Sequence, residues 1–347
     1  MKSWQESLAE KIDEIVWSHW AALGAYVAAE PCRGSVIDPE ALLVATSAFG
    51  RDDARIFDEA MDWMIANHGL LKAWRLKRIS RAFEAGTRRA LGAVLDYAAG
   101  DIGKDIFPGV RQEARKALQG AEAEELFRRE KVRYDAGRRQ PDEIFLAWKL
   151  LRGSPRIRRH AGKPDLANPA NLMLRLRDCY GSGARADVMT YLLTNEGGSS
   201  NGIASRIKYQ QGWVYGVLED LVGAGIAHKK GGRGKAYYWI DRARVAASLG
   251  LGEKLPAYFV WGDVFRAFDM VVSDWWGNQE AYENEFLAAE RMRDLAAEVV
   301  PMLRGAGEPL SRIPFPDPGK LKGAEHTEAL VSFMDNLADV LRSHTLD

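Results

Sequence analysis

Gln210, Gln211 and Tyr215, followed closely by Lys229, Lys230, Arg233 and Lys235, are the side chains here whose types and spacing best suit a defined chemistry. A glutamine amide presents a donor and an acceptor side by side, the pattern that pairs with the major-groove edge of adenine. Cations around Gly231, Gly232 and Gly234 suit neutralisation of phosphates. Between these groups, Val214, Val217, Leu218 and Leu221 fall on one side of a helical wheel, and Gly212, Tyr215, Gly216 and Glu219 on the other. Each interior glycine costs about 1 kcal/mol of helix propensity, so the small, smooth outer face calls for a reason. Close approach of the helix to groove edges supplies one. Ser199 or Ser200 can cap a short preceding helix, in which Ile203, Ala204 and Ile207 face inward. Ser200, Arg206, Lys208 and Trp213 complete the candidate contact set, and "QQG" reads as the turn.

Other chemistries find less support. "GGRGKA" would match a phosphate loop only with glycine in place of Lys229 and a hydroxyl in place of Ala236. "GSVIDPE" loosely suggests a nucleotidyltransferase, but its carboxylates follow the Gly-Ser too soon, and a helix cap at Asp38 explains it better. The histidines at 19, 68, 160, 228, 326 and 344 never pair at metal-ligand spacing, and Cys32 and Cys179 form neither a CxxC nor a disulfide framework. No nucleophile and base stand out, so the chain reads as a non-enzyme, with no cofactor and no metal expected.

The elements that must position the contact set are mostly helical. Apolar residues at spacings of three and four mark one amphipathic helix over residues 4–29. Asp38-Pro39-Glu40 is a helix start, with "DARIFDEAMDWMIANHG" following as a helix. Residues 70–100 read as one helical run, basic at first; 109–139 as a charged helix; and "PDEIFLAWKLLRG" as another. Residues 154–169, with three prolines nearby and the basic "RIRRH", read as a linker or a phosphate-contacting arm. "IAHKKGGRGKAYYWI" is a β-hairpin. The resulting division is a helical domain over 1–153, a linker over 154–169, a unit over 170–250 and an acidic helical association domain over 251–347. Overall charge is zero, yet residues 151–243 hold 15 Lys and Arg against 7 Asp and Glu, and residues 244–347 hold 10 against 17. A basic module beside an acidic one fits polyanion binding next to an oligomerisation module. The aromatic series from Tyr258 to Phe286 suits core packing, a dimer seam or an effector pocket. No signal-peptide core or membrane span is visible, and a cytoplasmic location is expected.

At "IASRI", "YQQG", "WVYGVLEDLVGAGI" and "KKGGRGKAYYWI", over about residues 170–250, the chain resembles the winged helix-turn-helix domains of bacterial transcription regulators, MarR-like and ArsR-like in the broad sense. The resemblance implies a mainly α fold with a small β-hairpin wing, and sequence-specific binding of double-stranded DNA by a regulator, expected to be a homodimer. The second helix departs from the pattern, carrying Glu219 and Asp220 where such helices usually bear Arg or Lys. Glu219 could then accept from a cytosine amino group. The alternative is a protein-interaction module, antitoxin-like or an adaptor, in which this unit contacts a partner protein.

Overall fold

A computed structural model describes residues 4–127, 140–181, 183–232, 236–252, 254–317 and 319–346. As expected, it is mainly helical, with sixteen α-helices and two two-stranded sheets among the described residues.

The first helix, α1 (Trp4–Ala22), stops earlier than the periodicity predicts. Gly24 turns the chain at φ +86°, where a Cβ would lie 2.9 Å from the Lys163 carbonyl oxygen. Helix α2 (Pro39–Phe49) begins as its sequence predicts, the Asp38 carboxylate accepting from the Ala41 N–H at 3.0 Å. Every residue of α2 is buried, so it is the central helix of the fold. Around it lie α3 (Ala54–Asn67), α4 (Ala73–Ser80), α5 (Ala85–Ile102) and α6 (Pro108–Arg115).

Three helical expectations are corrected. The run over 70–100 breaks between α4 and α5, with Glu84 extended at the second start. The charged run over 109–139 is helical only to Arg115, apart from a short 3-10 turn; β1 (Glu124–Glu125) follows, and residues 128–139 lie outside the described set. From 141 onward only α7 (Glu143–Ala147) forms, because Lys149 turns at φ +60° into β2 (Leu150–Leu151), which pairs in parallel with β1. That turn packs the Trp148 ring onto Gly92 of α5, 2.3 Å from where a Cβ would stand.

Residues 154–169 are an extended strap and not an open linker. Asp62 of α3 accepts from the backbone N–H groups of Arg159, His160 and Ala161, and Asp58 from that of Arg156. The arginines of "RIRRH" are drawn to the same surface: Arg159 pairs with Asp101 at 3.0 Å and Arg158 with Glu59 at 3.8 Å. After the strap come α8 (Leu172–Tyr180), α9 (Ala184–Thr194), α10 (Ser200–Arg206), α11 (Gln211–Gly223), the antiparallel β3 (Ala227–Lys230) and β4 (Tyr237–Ile240), and α12 (Arg242–Ser248).

The remainder, α13 (Trp261–Gly277), α14 (Gln279–Tyr282), α15 (Glu285–Leu303) and α16 (Glu325–Leu346), packs back on the beginning of the chain. Helix α13 lies against α2, and α16 runs beside α1, closed at the surface by Lys11 with Asp335 at 2.6 Å. The aromatic series is therefore core in its first half: Trp261 stacks on Phe265, and its indole N–H donates to the Val36 carbonyl at 2.8 Å. Its second half surfaces, with Trp276 and Phe286 exposed.

A buried ionic network ties residues 172–240 to this body. Arg75 of α4 donates to Asp38, to Glu40 and, at 3.0 Å, to the Ile207 carbonyl. Arg177 of α8 grips Asp187 of α9 at 2.9 and 3.0 Å and Glu40 at 2.8 and 3.1 Å. None of the five side chains belongs to a residue more than 6% exposed. Burial alone would raise the Asp38 carboxyl, but the charge and hydrogen bonds of Arg75 hold it below the ordinary range.

Candidate nucleic-acid interface

Helices α10 and α11 meet through a seam of Ile203, Ile207, Val214 and Leu218, all buried. Ser199 caps α10, its hydroxyl accepting from the Gly202 N–H at 3.1 Å. The turn lies at 207–210, ahead of the "QQG" expected, because Lys208 takes the left-handed conformation at φ +60° and α11 already begins at Gln211. Gly198 bridges Tyr238 of β4 in antiparallel fashion, which seats the hairpin against the loop after α9. Gly197 can only be glycine there: at φ +126°, a Cβ would lie 2.2 Å from the Tyr238 carbonyl oxygen.

The outer face of α11 is open. Gln211, Gly212, Tyr215 and Gly216 are exposed, and a Cβ on either glycine would meet nothing within 4 Å. The Gln211 amide nitrogen donates to the Ser200 hydroxyl at 2.9 Å, which holds the side chain across the α10–α11 corner. Gln210 is the residue before the first turn and is exposed; its side chain makes no cap, so the leading N–H groups of α11 have no side-chain partner there. Trp213 is 52% exposed and leans away from this face, its ring 5.5 Å from that of Trp74 on α4.

Four expected contacts are engaged elsewhere. Lys208 is half-buried and pairs with Asp263 at the start of α13, at 2.6 and 2.7 Å. Arg206 donates to the Tyr191 hydroxyl at 2.5 Å and lies over that ring. Glu219, read as an acceptor for cytosine, instead takes hydrogen bonds from Lys229 at 2.7 Å and Tyr238 at 2.6 Å. Those two bonds hold its carboxyl below the usual range and spend the Lys229 charge within the hairpin. Lys230 is exposed and has no partner among the described residues. Arg233 and Lys235 lie outside the described residues.

Two features went unread in the sequence. Helix α4 braces the turn: Arg78 donates to the Tyr209 carbonyl at 2.8 Å and covers Trp74, while Trp74 packs on both Tyr209 and Trp213. In sequence this stretch reads only as the basic start of a helical run; the aromatic Trp74 within it was the available signal. The hairpin also turns His228 and Trp239 together on its outer side, rings stacked at 5.5 Å, a pairing fixed by register and legible only once the turn length is known. Among the described residues no cluster of His, Cys, Asp and Glu could hold a metal ion, and no helix is long and apolar enough to cross a membrane. No protein-family model, curated protein or solved structure matches this chain.

Proposed function

We propose that residues 172–240 form a winged helix-turn-helix that binds double-stranded DNA sequence-specifically, in a protein acting as a bacterial-type transcription regulator. The observation that carries this reading is the open face of α11, where Gly212 and Gly216 remove bulk beside the exposed Gln211 and Tyr215. Such a face lets a helix backbone approach base edges, with glutamine offering two bonds to adenine. The order of elements supports it: α9, a bridged residue, α10, a four-residue turn, α11 and an antiparallel hairpin. The start of α11 has no side-chain cap, which leaves the N–H groups of its first residues suited to a phosphate.

A second reading has its own observation. Among the described residues α11 carries no cation, and Glu219 neutralises Lys229, so this face could meet a partner protein through Trp213 and Tyr215. Selection from a random duplex library, followed by a titration over salt, separates the two. DNA binding by this face predicts an enriched site, affinity that falls steeply with salt, and loss of binding in a folded Gly216→Leu variant. A folded Gly216→Leu protein that binds the selected duplex as well as the parent removes α11 from the groove and favours the protein partner.

A further inference from the structure

The β3–β4 hairpin has two unlike faces. Ala227, Tyr238 and Ile240 are buried on the inner one. On the outer one, register sets His228 opposite Trp239 and Lys230 opposite Tyr237. The His228 and Trp239 rings stack at 5.5 Å with 29° between their planes, and Tyr237 continues the row, 6.3 Å from Trp239. Tyr237 is 44% exposed, Trp239 half-buried and Lys230 exposed.

A hairpin that only touches phosphates needs cations and has no use for a row of open rings. We propose that this outer face is a stacking platform for unpaired nucleobases, so that the protein prefers duplex DNA carrying a single-stranded tail. The inference rests on the duplex reading of α11 and extends it. Three properties of the face select this occupant. Its rings are flat and reach the surface, Tyr237 and His228 exposed and Trp239 partly so, and every base has a π face, so stacking tolerates any sequence. The four residues of the platform include no carboxylate, and the neighbouring Glu219 is spent on Lys229 and Tyr238. Lys230 stands exposed beside Tyr237 and complements the phosphates that link such bases. Bases within a duplex are stacked on one another and cannot reach these rings, so the ligand must be unpaired.

The test uses the full chain and fluorescence anisotropy on four labelled DNAs: a selected blunt duplex, the same duplex with a ten-nucleotide 3′ or 5′ dT tail, and the free dT strand. The platform predicts that one tailed duplex binds tighter than the blunt one by roughly 5- to 150-fold for one stacked base. Trp239→Leu and, as a gentler exposed change, Tyr237→Ser should erase that preference while leaving blunt-duplex affinity unchanged. Equal affinity for blunt and tailed duplexes, or a preference that survives both variants, overturns the platform and leaves the α11 reading standing. Binding of tailed and free strands without blunt duplex supports the platform and overturns the α11 reading; binding of none overturns both.

Discussion

Replacing Arg177 by Met tests whether the buried network fixes residues 172–240 on the helical body. Arg177 is 5% exposed, and its guanidinium supplies four hydrogen bonds to Asp187 and Glu40. Without it, Arg75 is the one arginine still ion-paired to Asp38, Glu40 and Asp187, three buried carboxylates. Removing one partner of a buried ion pair costs about 3–5 kcal/mol, because the charge left behind is uncompensated. An unfolding entropy of about 2.1 cal/mol/K per residue makes 1 kcal/mol worth roughly 1.4 °C in a chain of this length, so Tm should fall by about 4–7 °C. Thermal unfolding followed by circular dichroism at pH 7 measures this. Adding Asp187→Asn to Arg177→Met should recover part of the loss, since it also removes an orphaned charge, and the double variant should be less unstable than the two single losses summed. A Tm within 1 °C of the parent for Arg177→Met, or strict additivity in the double variant, would refute the reasoning.

Gln211→Ala should cost about 1–3 kcal/mol on the preferred duplex and relax choice at one base position, whereas Ser200→Ala, which frees the amide without removing it, should cost less; equal affinity in a competition assay for Gln211→Ala would exclude base reading by this residue. His19 is buried edge-on to Trp261 at 4.6 Å, neither ring nitrogen has a hydrogen-bond partner, and burial pushes its pKa down to about 3. The unfolded chain therefore binds the extra proton between pH 6.5 and 3, so this contribution is whole above pH 6.5 and is lost as pH falls, by about 1.4 kcal/mol per unit and about 2 kcal/mol by pH 5. Urea midpoints at pH 7.5 and 5.0 should show that loss in the parent and a smaller one in His19→Leu; an undiminished loss in the variant assigns the pH dependence to other groups.

What could be read in advance was local. Asp38 before Pro39 marked the start of α2, and the serines at 199–200 marked that of α10, because a cap is decided by neighbours in sequence. The open glycine face of α11 was equally legible from periodicity. Partnerships across the chain were not. Nothing beside Lys208 announces Asp263, 55 positions on, and nothing beside Asp38 says that it serves Arg75 as well as capping a helix. The strap over 154–169 looked like a linker because its backbone hydrogen bonds end on Asp58 and Asp62, side chains of another element that leave no trace in its own apolar pattern. The tail's aromatic residues suited core packing, a dimer seam or an effector pocket alike, and which rings face α2 is settled by packing, which puts Trp261 and Phe265 inside.

The pairing of α1 with α16 has a bearing on how the chain is made. Lys11 and Asp335 are 324 positions apart, and Leu8, Ile12 and Ile15 are buried beside a helix that is synthesised long after them. At about 5–20 residues per second, the apolar stripe of α1 waits roughly 15–65 s for its cover. During synthesis that stripe is a bare hydrophobic surface on a nascent protein, the kind of segment that chaperones hold and that aggregates when they are scarce. The cost of placing so much of the closing core at the greatest sequence separation is therefore slow, late folding.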